Sequence, residues 1–117
     1  MEALALTELI YKVLDDKQGG DIEVVELGQS EIADYFVIAT GKNFNHVRAL
    51  AEEVEDKLAA QGVLATRREG LREGRWVVID YDNVIVHIFS ADTREFYCLE
   101  KLWKSRNTKS ASDSKSE

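Results

Sequence analysis

The stretch Trp76-Val77-Val78-Ile79-Asp80-Tyr81-Asp82-Asn83-Val84-Ile85-Val86-His87-Ile88-Phe89 decides the fold. Two runs rich in β-branched and aromatic residues flank Asp82-Asn83, a pair suited to a two-residue hairpin turn. That turn sets Tyr81 opposite Val84, Ile79 opposite Val86 and Val77 opposite Ile88. Side chains alternate along a strand, so these six share one essentially apolar face. The other face carries Trp76, Val78, Asp80, Ile85, His87 and Phe89. The apolar face is expected to meet the core. Two readings of the mixed face stay open: it lies under a helix with its polar groups satisfied, or it is an open patch that takes a partner. A one-residue slip would exchange the faces.

Upstream, Leu6, Leu9, Ile10, Val13 and Leu14 recur at helical spacing, and Gly19-Gly20 is expected to stop that helix. Ile22, Val24, Val25 and Leu27 form a first strand. Residues Asp34 to Ala39 form a second, whose unbroken apolar run predicts burial on both faces. Asn43 is placed to cap a helix whose stripe is Phe44, Val47, Leu50, Ala51, Val54 and Leu58. Gly62 ends it. Leu64 to Arg68 is expected to be a short strand, and Glu69 to Gly74 a loop. Downstream, a helix over Asp92–Lys104 has Asp92 and Glu95 as a capping box and Phe96, Leu99, Leu102 and Trp103 on its apolar side. Cys98 on that helix reads as a small packing residue. The order α-β-β-α-β-β-β-α predicts an α/β (α+β) domain: a mixed sheet of about five strands with three helices mainly on one face.

The 117 residues suffice for one domain over 1–104, and the polar, serine-rich run 105–117 reads as a disordered tail. A net charge of −7 disfavours general nucleic-acid binding. Arg67, Arg68, Arg72 and Arg75 are too small a basic patch to reverse that. A single cysteine suits a reducing, cytoplasmic setting, and no apolar run is long enough to span a bilayer. His46 and His87 lack partners at metal-ligand spacing, so no metal or cofactor is expected. His46 reads as an exposed residue, His87 as a structural or interfacial hydrogen-bonder. Asp80 and Asp82, two residues apart on a strand, are the one candidate pair for Mg²⁺-dependent nucleotidyl transfer. Against that, Asp82 sits where a turn favours Asp, and no phosphate loop precedes it.

Four segments resemble the ribosomal silencing factor (Iojap) family. They are Asp34-Tyr35-Phe36-Val37-Ile38-Ala39-Thr40-Gly41; Glu69-Gly70 with Gly74, Trp76-Val77-Val78 and Asp80-Tyr81; Val84, Val86-His87 and Phe89; and Arg94, Phe96-Tyr97, Leu99-Glu100 and Leu102-Trp103. The chain departs from the family pattern at Asp82-Asn83, where Gly-Asp is usual, and over Lys42–His46. The resemblance implies a nucleotidyltransferase-like fold without the catalytic constellation, and no enzymatic activity. It also implies a translation repressor that binds the large ribosomal subunit at its fourteenth universal protein. Bound there, it blocks joining of the small subunit and damps translation under nutrient limitation. The free protein would be a homodimer. The residues it points to for partner binding are Glu69, Trp76, Val78, Asp80, Asp82, His87, Arg94 and Tyr97. The acids of this segment suit a basic partner. The alternatives are a residual metal-dependent nucleotidyltransferase, or an interaction module for another basic partner that docks on the helix face around Glu52, Glu55 and Asp56.

Overall fold

A computed structural model of the chain describes residues 1–28 and 30–93. Five strands, β1 (Gly20–Glu26), β2 (Tyr35–Gly41), β3 (Arg67–Glu69), β4 (Trp76–Asp80) and β5 (Val84–Ser90), form one sheet in the order β1-β2-β5-β4-β3. The sheet is mixed: β2 and β5 run parallel and the other pairs antiparallel. Helices α1 (Ala3–Asp16) and α2 (Phe44–Ala60) complete the described elements. Among the described residues no helix is long and apolar enough to cross a membrane.

The hairpin register is the expected one. Val77 pairs with Ile88 and Ile79 with Val86, and Tyr81 N–H donates to the Val84 carbonyl at 2.9 Å. Both helices lie on the apolar face. Leu6, Ile10 and Leu14 of α1 and Val47, Leu50, Val54 and Leu58 of α2 join Val77, Ile79, Tyr81, Val84, Val86 and Ile88 in one core cluster. Phe36, Val37, Ile38 and Ala39 of β2 are all buried, as their unbroken apolar run requires.

Asn43 caps α2, its side-chain oxygen accepting the His46 N–H at 2.8 Å. Gly62, at φ +81°, ends it. The Gly62 and Val63 N–H groups reach back to the Ala59 and Leu58 carbonyls, as in a Schellman motif. The first helix closes the same way but one residue earlier than expected. Gln18, not Gly19, takes the left-handed position at φ +67°, and Gly19 N–H donates to the Leu14 carbonyl.

Two further expectations are corrected. β3 is Arg67–Glu69 rather than Leu64–Arg68. Its partner β4 ends at Asp80, opposite Arg67, so residues before 66 have no strand to pair with, and Leu64 stands 76% exposed. Asp92 is not the cap of the last helix, because Ala91 is already helical. The residue before it, Ser90, has its hydroxyl 3.0 Å from that of Thr93, in the cap position. The rest of the helix expected over Asp92–Lys104, with Arg94, Tyr97, Cys98 and Trp103, and the tail expected over 105–117 lie outside the described residues.

Candidate partner-binding face

Strand alternation brings Trp76, Val78, Asp80, Ile85, His87 and Phe89 to the face away from α1 and α2. Register with β2 adds Phe36 and Ile38. Neither α1 nor α2 packs on this face, and its centre and margin differ. Its centre is closed: Ile38 and Phe89 are fully buried and His87 is 7% exposed. Its margin toward β3 is open, with Trp76, Val78 and Asp80 half-buried and Arg67 and Glu69 exposed.

Four rings build the centre. The Trp76 and Phe89 rings stack at 4.9 Å, and the Phe36 ring meets His87 edge-on at 4.5 Å. Trp76 Nε1–H donates to His87 Nδ1 at 3.1 Å, which fixes the proton of the neutral imidazole on Nε2. That Nε2–H is buried and has no acceptor among the described residues. Burial also pushes the imidazole down from 6.5 to about 4, so it is neutral at physiological pH.

At the margin a cleft of about 200 Å³ is lined by Ile32, Phe36, Arg67, Arg68, Glu69, Val78, Asp80, Ile85 and His87. Four residues singled out from the sequence, Glu69, Val78, Asp80 and His87, therefore share one site, and Trp76 adjoins it through His87. Arg67 lies between two acids, 3.9 Å from Glu69 and 3.9 Å from Asp80. Sequence reasoning missed Phe36, Ile85 and Arg67 as wall residues. Ile85 is legible from the hairpin alternation. Phe36 and Arg67 require the β2–β5 and β3–β4 pairings.

Asp80 and Asp82 do not form the paired-acid site weighed from their spacing. β4 ends at Asp80, and Asp82 sits in the turn at φ +74°. Asp80 Oδ1 instead accepts the Asp82 N–H at 2.8 Å and so holds the turn. Among the described residues no group of three His, Cys, Asp or Glu could hold a metal ion. On the helix side, Arg68 pairs with Glu55 at 2.6 Å.

His46 is not merely exposed. The Lys42 N–H donates to its Nδ1 at 2.9 Å, and its Nε2 donates to the Lys17 carbonyl at 3.0 Å. It thereby stitches the end of α1 to the start of α2.

The family model described as "Ribosomal silencing factor during starvation" matches residues 1–117. "Ribosomal silencing factor RsfS" of Bacillus subtilis is 38% identical over 104 residues, 88% of this chain and 88% of the relative. A mouse protein, "Mitochondrial assembly of ribosomal large subunit protein 1", is 27% identical over 86% of this chain and 46% of its own length. A crystal structure from Chromobacterium violaceum superposes with a TM-score of 0.86 at 32% identity, covering 89% of this chain and 88% of that one.

Proposed function

Because the chain belongs to the ribosomal silencing factor family, a family of ribosome-associated translation regulators, we propose that it represses translation by binding alone. Its target is the large ribosomal subunit, at the fourteenth universal protein. The domain there occupies space that the small subunit needs.

The observation that carries this reading is the open margin of the mixed face. A half-buried Trp76 backed by Phe89 is the kind of rigid aromatic anchor that dominates binding energy. Glu69 and Asp80 flank it on the rim and suit Lys or Arg of a basic ribosomal protein. His87 Nε2–H supplies a donor that an acceptor entering the cleft would satisfy. The name of the mouse relative, which refers to assembly of the ribosomal large subunit, points to the same particle. In this reading the free protein is a cytoplasmic homodimer.

Sedimentation with purified large subunits, small subunits and whole ribosomes tests the proposal. Wild-type protein is expected to pellet with large subunits and to reduce subunit joining. Trp76→Ala and Asp80→Lys are each expected to weaken pelleting at least tenfold while the fold survives. Wild-type affinity in both variants would remove this face from the reading.

A further inference from the structure

We propose that the N-terminal end of α2, together with the 70–75 loop, is a second contact surface that takes the phosphate backbone of ribosomal RNA. The proposal rests on the ribosome-binding reading above but uses a different part of the molecule.

The sequence scatters four cations over two segments, Lys42 and Arg48 in one and Arg72 and Arg75 in the other. The fold gathers them. Arg48 Nη1 donates to the Arg72 carbonyl at 2.9 Å, and the Arg75 guanidinium sits 5.3 Å above the Phe44 ring. Gly74, at φ +74°, lets the loop press against α2. A Cβ there would stand 2.7 Å from the Phe44 carbonyl oxygen and 3.0 Å from Arg48 Nη1. Gly70, at φ +85°, is as tightly required, since its Cβ would fall 2.0 Å from the Trp76 carbonyl oxygen. The loop is therefore held in place, and its two arginines with it.

These cations differ from the other arginines of the hairpin region. Arg67 and Arg68 face Glu69, Asp80 and Glu55. Among the described residues, no ion pair engages Lys42, Arg48, Arg72 or Arg75. The first turn of α2 holds no acid, although helix N-termini favour acids; Glu52, Glu53, Glu55 and Asp56 all come later. The partial positive charge of the helix end therefore adds to four cations, with Glu73 and Asp92 the acids that chain connectivity brings to the same end. This is also the carboxyl end of the parallel pair β2–β5.

The gathered cations suit the phosphates of RNA, and on a chain of net charge −7 such a patch orients the molecule as well as holding it. Phe44, 43% exposed beside Arg75, offers a platform for an unpaired base. The acidic rim around Glu69 and Asp80 then faces protein rather than RNA.

The test compares wild type, the double variant Arg72→Gln/Arg75→Gln, and Lys12→Gln, which loses a cation paired with Asp16 on α1, as an ion-paired control. Affinity for purified large subunits is measured over a range of KCl concentrations. The double variant is expected to bind about tenfold more weakly at low salt. Its slope of log affinity against log salt should be shallower by roughly two, one for each lost phosphate contact. Lys12→Gln should keep the wild-type slope. An unchanged slope and affinity in the double variant would overturn the proposal even if Trp76→Ala abolishes binding. If wild type does not bind large subunits, the ribosomal reading fails, and anisotropy with a labelled 20-mer of oligouridylate at low salt decides this one. Binding by wild type that the double variant loses supports it. No binding by wild type, or equal binding by both, overturns it.

Discussion

Val77, Ile79 and Tyr81 with Val84, Val86 and Ile88 form one face of the β4–β5 hairpin; Trp76, Val78 and Asp80 with Ile85, His87 and Phe89 form the other. The residues alternate along the same two strands, yet the faces are built differently. The first is sealed by α1 and α2 and holds little besides aliphatic groups. The second packs aromatic rings around an imidazole and opens at its edge onto four charged side chains. A face that only stabilises can be aliphatic throughout. A face that meets a partner, as proposed for the second, would keep directional groups at its margin and accept the cost of burying one of them. His87 is that group.

If the comparison is right, His87 makes folding pH-dependent. The unfolded chain takes up the imidazole proton near 6.5, the folded chain only near 4. Between those values the unfolded state holds more protons. Stability from this group is therefore complete above about pH 6.5 and is lost as pH falls toward 4, by about 3 kcal/mol in all. Urea unfolding near pH 7 and near pH 4 should show that loss in wild type and a correspondingly smaller one in His87→Phe. Equal losses in the two proteins would mean that the ring is not held neutral by burial.

A smaller effect separates the faces with one kind of substitution. Val77 is fully buried and Val78 half-buried, on adjacent positions of β4. Val77→Ala is expected to cost about 2.5 kcal/mol, since it removes two methyl groups and leaves a cavity beneath the helices. Val78→Ala should cost about 1 kcal/mol of stability and yet weaken large-subunit binding more than Val77→Ala does. Chemical denaturation and pelleting of the two variants check this. Equal stability losses would mean that the margin is as closed as the core.

Much of the contrast is legible in the sequence, because strand alternation is local. Asp82-Asn83 between two β-rich runs sets the register, and the register assigns all twelve side chains to their faces. The Asn43 cap and the Gly62 terminator are local as well. What the sequence does not disclose depends on pairings between distant segments. Phe36 enters the site only through the parallel β2–β5 ladder, and Arg67 only because β3 joins β4 three residues later than its apolar content suggests. His46 looks exposed until the end of α1 is brought within hydrogen-bonding distance of α2. Arg72 and Arg75 look like one small patch with Arg67 and Arg68. In the fold, Gly70 and Gly74 bend the loop so that the first two join Arg48 and the last two meet carboxylates.

Tyr81 carries the smallest expected effect. It lies on the aliphatic face, and its hydroxyl is buried with no partner among the described residues. Burial, with the Glu55 carboxylate adding to it, pushes the phenol up to about 12. The ring borders an opening of about 500 Å³ between α2 and residues 63–68, lined also by Glu55, Ala59, Val63, Leu64 and Arg68. If the face only stabilises, the hydroxyl contributes nothing, and removing an unsatisfied polar group relieves its desolvation cost. Tyr81→Phe is then expected to match wild type in denaturant unfolding or exceed it by up to about 1 kcal/mol. A loss of more than 1 kcal/mol would mean that the hydroxyl is bonded in solution, through water in that opening. The polar logic of the partner face would then extend to the helix side as well.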